Sequence, residues 1–169
     1  TGPGDRLPLA AITLGPGAEP SPEATRVYLD FSGTDRLPEP GTIRLLAYDL
    51  DRTPDRGLEV GLYWQALVPV DHDYTVFAQL LDPLGEIVDQ DDGPPGDSFF
   101  PTTTWLPGDT VTDGRAVTLP AGAPAGDYVL LIGLYHAPSG ERLATSDAHG
   151  EHQGDAFRLG PISFDSGAP

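Results

Sequence analysis

Glycine and proline interrupt this chain so often that long helices are excluded almost everywhere. The 169 residues include 21 glycines and 19 prolines, and few segments of helical length lack both. Glycine weakens the interior of a helix, and proline breaks it. Between these interruptions lie short runs rich in Val, Leu, Ile, Phe and Tyr. The sequence therefore predicts an all-β protein.

Nine short β-type runs occur from Thr25 onward, separated by Gly, Pro and Asp. They cover residues 25–31, 42–50, 58–67, 73–82, 85–91, 109–119, 126–136, 141–145 and 156–164. This spacing is typical of antiparallel sandwiches and barrels. We predict an Ig-like antiparallel β-sandwich of seven to nine strands over residues 25–169. A Gly/Pro-rich arm or linker over residues 1–24 precedes it.

Period-two alternation identifies the core strands. In run 58–67 one face is wholly apolar and comprises Leu58, Val60, Leu62, Trp64 and Ala66. We therefore predict that Trp64 is buried. Run 126–136 is apolar on both faces, which is expected of a strand that is covered on both sides. The turns at 82–85 and 137–140 are predicted hairpin connections, and the proline-rich stretch 92–108 is predicted to be a long ordered loop.

The charge balance excludes several partners. Nine arginines oppose 26 acidic residues, which gives a net charge of −17. Without a basic cluster the chain is a poor partner for nucleic acid, and an anionic lipid leaflet would repel it. No apolar run approaches the roughly 18 residues of a membrane span, so direct membrane insertion is not expected.

Absent residue types add further constraints. Cys is absent, so disulfides and thiolate metal sites are excluded. Lys, Asn and Met are missing as well, which with many prolines suggests a GC-rich genome or a thermophile. The lack of Met at position 1 suggests a piece of a longer protein. A nucleophile elbow, an HExxH motif, a P-loop and a GxGxxG motif are also missing, so we do not expect an enzyme.

Two carboxylate-rich segments are candidate metal sites. The first comprises Asp89, Asp91, Asp92 and Asp97 around a Gly/Pro turn. Such hard oxygen ligands suit Ca²⁺, and the alternative is a solvated turn. The second comprises His149, Glu151 and His152, flanked by Asp147 and Asp155. Imidazole with carboxylate suits Zn²⁺ or a related ion, and the alternative is a polar surface loop.

Aromatic residues offer a third candidate site. Phe99, Phe100 and Trp105 lie in the predicted 92–108 loop. Exposed rings there would stack on the faces of sugars. The alternative is that the rings bury the loop against one end of the sandwich.

Several long segments resemble the extracytoplasmic β-sandwich domain attached to many Chloroflexota membrane proteins. Those proteins include membrane glycosyltransferases of the dolichyl-phosphate-mannose mannosyltransferase type. The segments that carry the resemblance are YDLD (48–51), LEVGLYWQAL (58–67), PVDHDYTVFAQLLD (69–82), PTTTWLPGD (101–109), LPAGAPAGDYVLLIGLYHAPSGERL (119–143) and LGPI (159–162). The first 40 residues and segment 147–155 depart from this pattern.

The resemblance implies a non-catalytic module outside the cytoplasm, at the cell surface or in the extracellular space. We therefore expect it to bind a glycan or a cell-envelope component. The alternative is a structural subunit that self-associates into a surface assembly or filament. In that case edge strands, or the apolar arm segment Leu7–Leu14, would join neighbouring copies.

Overall fold

The alternating apolar residues face one another across a sandwich of two antiparallel sheets. The computed structural model describes residues 19–33, 41–98 and 100–166. These residues form eleven strands: β1 (Thr25–Ser32), β2 (Ile43–Arg52), β3 (Gly57–Ala66), β4 (Tyr74–Leu81), β5 (Ile87–Gly93), β6 (Thr110–Thr118), β7 (Gly126–His136), β8 (Glu141–Arg142), β9 (Ala144–Ser146), β10 (His152–Gly154) and β11 (Phe157–Phe164). The predicted all-β sandwich is confirmed.

The number of strands differs from the seven to nine that were predicted. Run 141–145 divides at Leu143 into β8 and β9, and β10 lies in a segment where no strand was predicted. These strands have only two or three residues each, which is too short for alternation to show. They form because they pair with neighbours, β8 with β7 and β10 with β9.

The strand order places β7 at the centre of one sheet. The six-stranded sheet has the order β10-β9-β1-β2-β3-β6, and the five-stranded sheet has the order β11-β7-β4-β5 with β8 added beside β7. Strand β7 pairs with both β4 and β11. The strands β5 and β6 end their respective sheets, so one edge of each sheet lies at this side of the sandwich.

The core fills the space between the sheets. The side chain of Trp64 is fully buried and meets the ring of Phe31 edge-on, at 5.4 Å between centroids. The prediction for Trp64 is confirmed. The inner face of β7 is buried as well, through Tyr128, Leu130, Ile132 and Leu134. Burying this much apolar surface is the main force that holds such a sandwich together.

The predicted turns join the expected strands. Turn 82–85 connects β4 to β5, and turn 137–140 connects β7 to β8, with Gly85 and Gly140 at positive φ. The connection from β5 to β6 contains two short 3₁₀ segments, Pro95–Ser98 and Thr102–Thr104.

Two sequence predictions concern the ends of the chain and the membrane. Strand β1 begins at Thr25, the first residue of the predicted sandwich domain. The predicted arm segment Leu7–Leu14 lies outside the described residues. None of the described segments forms a helix with the length and hydropathy that crossing a bilayer requires.

Candidate functional site

The outer face of the five-stranded sheet carries a cluster of polar side chains on an aromatic base. Along β4 the residues Val76, Ala78 and Leu80 belong to the core, so the alternate residues Phe77 and Gln79 face outward. The residues that pair with them across the neighbouring strands lie on the same face. Asp92 and Gln90 of β5 lie opposite Phe77 and Gln79, and Arg142 of β8 lies opposite Tyr135 of β7. We call this set, Phe77, Gln79, Gln90, Asp92, Tyr135 and Arg142, the polar face.

Arg142 links the members of the polar face. Its Nη2 donates to Oε1 of Gln79 at 2.9 Å, and its guanidinium carbon lies 4.3 Å from the centre of the Phe77 ring. Its Nη1 is 3.6 Å from Oδ1 of Asp155. Nε2 of Gln79 also donates to Oε1 of Gln90 at 3.4 Å. These contacts hold a planar cation and two amides in fixed positions on rigid strands.

The aromatic base depends on Gly133. Phe77 lies opposite Gly133 across the β4–β7 pair. A Cβ atom at position 133 would lie 2.5 Å from Cζ of the Phe77 ring, so only glycine lets this ring lie against the sheet. The ring of Tyr135 is next to it, at 6.2 Å between centroids. Phe77 is only 1% exposed, because Arg142 covers its ring, whereas the ring of Tyr135 is half-buried.

Asp92 and Tyr135 form a second polar pair on this face. Loss of solvent raises the pKa of Asp92, and a hydrogen bond from the Tyr135 hydroxyl partly offsets that rise. Burial and the nearby Asp92 carboxylate raise the pKa of Tyr135. At neutral pH the phenol therefore stays protonated and donates to the carboxylate.

An open groove adjoins the polar face at Arg142. Its volume is 560 Å³, and it is lined by Gly140, Arg142, Ala144, His152, Gly154 and Asp155. His152 is one of the residues that the sequence suggested as a metal ligand. Here it shares the groove with Arg142 and Asp155. The groove and the polar face together form a continuous polar surface with one cation, several neutral donors and a carboxylate at each side.

Among the described residues, the carboxylates of the predicted Ca²⁺ segment at the end of β5 make separate contacts. Oδ2 of Asp89 accepts a hydrogen bond from the backbone N–H of Thr118 at 2.6 Å, and Oδ2 of Asp91 accepts one from that of Ala116 at 2.9 Å. Asp92 lies on the polar face instead, because adjacent strand residues point to opposite sides. The side chain of Asp97 lies outside what the structure describes.

The predicted His149/Glu151/His152 site is a hairpin turn between β9 and β10. Oδ1 of Asp147 accepts hydrogen bonds from the backbone N–H groups of His149 at 2.8 Å and Glu151 at 3.0 Å. These bonds lower the pKa of Asp147, with the Glu151 bond first in size. The side chains of His149, Glu151 and His152 are exposed. Within the described residues, no group of three or more His, Cys, Asp or Glu side chains could hold a metal ion.

The described aromatic residues of the β5–β6 loop pack against the sandwich. Trp105 is only 3% exposed, and its Nε1 donates to the carbonyl of Phe100 at 2.9 Å. Phe100 is partly buried and packs against the core. Phe99 lies outside the described residues. The structure thus brings Phe100 and Trp105 together as packing partners that attach the loop to the sandwich.

Sequence reasoning did not identify the polar face. Arg142 lies on a two-residue strand, and Asp92 was grouped with the wrong carboxylates. One signal was available: in run 73–82 the residues between the core positions include Phe77 and Gln79, so a polar residue and a ring share one face. Which residues of other strands join them depends on pairings that periodicity does not specify.

The similarities to known proteins are structural and distant. No protein-family model matches the sequence, and no curated protein matches it. The solved structures that resemble it include the C-terminal domain of Wzt, which is 15% identical with a TM-score of 0.44 over 89% of this chain and 85% of that chain. Another is a beta-glucuronidase from glycoside hydrolase family 2, which is 11% identical with a TM-score of 0.36 over 70% of this chain and 12% of that chain. Such distant likenesses assign no site and no activity.

Proposed function

We propose that this chain is a non-enzymatic carbohydrate-binding module whose binding surface is the polar face with its adjoining groove. The observation that carries the proposal is the arrangement of Arg142, Gln79 and Gln90 over the rings of Phe77 and Tyr135. Sugars present ring faces of C–H groups and rims of hydroxyls. Phe77 is only 1% exposed beneath Arg142, so the ring that a sugar can reach is that of the half-buried Tyr135. This ring, with Arg142 and Gln90 beside it, matches both features.

Rigidity supports this surface as a binding site. Its residues lie on β4, β5, β7 and β8, and each polar side chain already has a partner that fixes its orientation. A preorganised site loses little side-chain freedom when a ligand binds. In the loop that carries Phe99, Phe100 and Trp105, the Trp105 ring is buried and its Nε1 already donates to the carbonyl of Phe100.

Charge favours a neutral glycan over an acidic one. The chain carries a net charge of −17, and this field repels polyanions. On the polar face the charge of Arg142 is balanced by Asp155, at 3.6 Å, and Asp92 adds a further carboxylate. A neutral saccharide can exchange hydrogen bonds with this network without meeting an unpaired charge.

The proposal also includes a location outside the cytoplasm. The resemblance described above supports a module outside the cytoplasm, where glycans of the cell envelope are the available partners. The alternative of a self-assembling subunit has less support from the edges of the sandwich. Asp89 and Asp91 occupy backbone N–H groups of β6, and Pro161 on the edge strand β11 has no N–H to donate.

A glycan array with the whole chain, followed by calorimetry on the neutral oligosaccharides that bind, tests the proposal. Arg142→Ala and Tyr135→Ala should each weaken binding by more than about tenfold, which is the loss expected when a site loses a polar or aromatic anchor. Gln90→Ala should weaken it less, because Gln90 lies at the rim. The matched controls are Arg44→Ala and Gln65→Ala on the six-stranded sheet, and these should leave affinity unchanged.

Two outcomes would overturn the proposal. One is that no saccharide binds at millimolar concentration. The other is that Phe99→Ala abolishes binding while Arg142→Ala does not, which would place the site in the β5–β6 loop, as the sequence first suggested.

A further inference from the structure

A pair of histidines lies at the end of the five-stranded sheet, away from the turn where the sequence suggested a metal site. His136 is the last residue of β7 and lies opposite Tyr74 of β4. His72 precedes Tyr74 by two residues, and residues two apart in an extended chain lie on the same side. His72 therefore lies near His136. The ring centroids of His72 and His136 are 4.9 Å apart, and their planes are tilted by 46°.

This separation suits two imidazoles that share one metal ion. With metal–nitrogen distances of about 2.0–2.1 Å and a tetrahedral angle, the two ring centroids would lie about 5 Å apart. Both rings lie at the surface, where an ion has access from solvent, since His72 is exposed and His136 is half-buried.

Hydrogen bonds orient His136 for this role. Its Nδ1 lies 2.9 Å from Oγ of Ser139, and that hydroxyl also lies 3.4 Å from the His136 carbonyl, to which it donates. A hydroxyl whose proton points to the carbonyl accepts from Nδ1–H. In the tautomer that carries its proton on Nδ1, this bond to Ser139 leaves the Nε2 lone pair available for a metal.

The backbone of His72 is fixed as well. Thr102 is fully buried, and its hydroxyl donates to the His72 carbonyl at 2.6 Å while accepting from the Tyr74 N–H at 2.9 Å. Asp73 is held by Thr103 through the backbone N–H and the hydroxyl. The 3₁₀ segment Thr102–Thr104 thus fixes the backbone at His72, where the chain enters β4.

The surrounding charge favours a cation. Asp71 and Asp73 flank His72 in the chain, and Glu141 lies opposite His136 across the β7–β8 pair. In a chain with 26 acidic residues the local field raises the concentration of divalent cations. Imidazole nitrogens then select Zn²⁺, Cu²⁺ or Ni²⁺ over Ca²⁺ and Mg²⁺, which prefer oxygen.

We propose that His72 and His136 form a surface site for a borderline divalent transition metal ion, in which these two imidazoles are the protein ligands and water completes the coordination. The site is independent of the polar face. It is also distinct from the His149 and His152 turn, where neither imidazole has a ring partner among the described residues.

The experiment uses calorimetric titration of the whole chain with Zn²⁺. The wild type should bind one ion saturably, and His72→Gln or His136→Gln should each lower the affinity by more than about tenfold. Ser139→Ala, a change at a positioning residue, should lower the affinity by about tenfold through the lost orientation of His136. The matched control is the double variant His149→Gln/His152→Gln, which removes the other two histidines and should leave the affinity unchanged.

Electron paramagnetic resonance with Cu²⁺ provides an independent readout. Nitrogen hyperfine structure should appear in the wild type and in the control double variant, and it should be lost when both His72 and His136 are replaced. Zn²⁺ affinity that survives the His72 and His136 changes would mean that ions bind to dispersed carboxylates, and the proposal would be wrong. Loss of the copper–nitrogen signal in the control double variant would equally overturn it, because the ion would then be bound at the β9–β10 turn. Circular dichroism confirms that each variant is folded.

Discussion

Two carboxylate-rich segments that look alike in the sequence form hydrogen bonds with partners at very different separations along the chain. On β5, Asp89 and Asp91 accept hydrogen bonds from Thr118 and Ala116, which are 29 and 25 residues away. In the β9–β10 turn, Asp147 accepts them from backbone N–H groups two and four positions ahead and from the side chain of Gln153, six positions ahead. Both segments are predicted metal sites, and in both of them carboxylates accept hydrogen bonds from backbone N–H groups.

The difference follows from where each segment lies in the fold. Strands β5 and β6 are the last strands of two different sheets, and the outer N–H groups of such an edge strand have no neighbouring strand to accept them. The carboxylates of β5 reach across the side of the sandwich to these groups. We call this contact the β5–β6 seam. It joins the two sheets, whereas Asp147 stabilises only its own turn.

The seam continues into a buried ion pair. Arg115 of β6 donates through Nε to Oδ2 of Asp113 at 2.8 Å, and the two side chains are 6% and 2% exposed. Arg115 also donates to the carbonyls of Gly93 and Pro94, and the N–H of Gly96 donates to Asp113. Burial raises the pKa of Asp113, while Arg115 opposes this rise. The seam therefore fixes the start of the β5–β6 loop as well.

The largest effect is expected for Arg115→Ala. The change leaves the buried carboxylate of Asp113 without its cation, and breaking a buried pair in this way costs about 3–5 kcal/mol. Urea unfolding measures the loss as a change in the free energy of unfolding. The matched control is Arg44→Ala, whose ion pair with Asp30 is partly exposed and should contribute no more than about 1 kcal/mol. Equal losses in the two variants would contradict the distinct role of the seam.

A smaller effect is expected when both seam carboxylates are removed. The double variant Asp89→Ala/Asp91→Ala loses two charge-assisted hydrogen bonds at a largely solvent-accessible edge, with an expected cost of about 1–2 kcal/mol in total. Hydrogen exchange should locate the change. The amides of Ala116 and Thr118 should lose protection, while those of β7 should keep it.

The control for this variant is Asp51→Ala, an exposed carboxylate on β2. It should leave exchange at Ala116 and Thr118 unchanged. Unaltered protection of these two amides in the seam variant would mean that the carboxylates do not close the edge. Increased light scattering of the seam variant would further show that closure prevents association between exposed edges.

A region can be predicted from the sequence when its contacts join residues that are close together along the chain. Alternation identified Trp64 as a core residue, because the face on which a strand residue lies is a local property. The turn at 82–85 was also predicted, and Oδ1 of Asp82 accepts from the N–H groups of Leu84 and Glu86, both at 2.9 Å. The segment D-A-H-G-E at 147–151 repeats the D-P-L-G-E pattern at 82–86 and the same bonds.

The second turn could therefore have been predicted from its likeness to the first, although its two histidines favoured a metal site instead. The seam and the polar face could not have been predicted in this way. Both depend on which strands end the sheets and which residues lie opposite each other, as with Asp92 and Phe77 or Arg142 and Tyr135. A single sequence contains no direct record of these long-range pairings.

The smallest effect is expected at Asp147, and it should depend on pH. Backbone hydrogen bonds lower the pKa of this carboxyl in the folded chain. The stability that it contributes is therefore fully present above the unfolded value of about 3.9 and disappears as the pH falls through the lower folded value. The variant Asp147→Asn should melt slightly below the wild type near neutral pH, and this difference should shrink as the solution is acidified. Exchange at Ala116 and Thr118 should stay unchanged in this variant, because the turn does not reach the seam. A difference in melting temperature that persists at low pH would show that Asp147 acts through something other than its charge, and the contrast with the seam would then rest on Arg115, Asp89 and Asp91 alone.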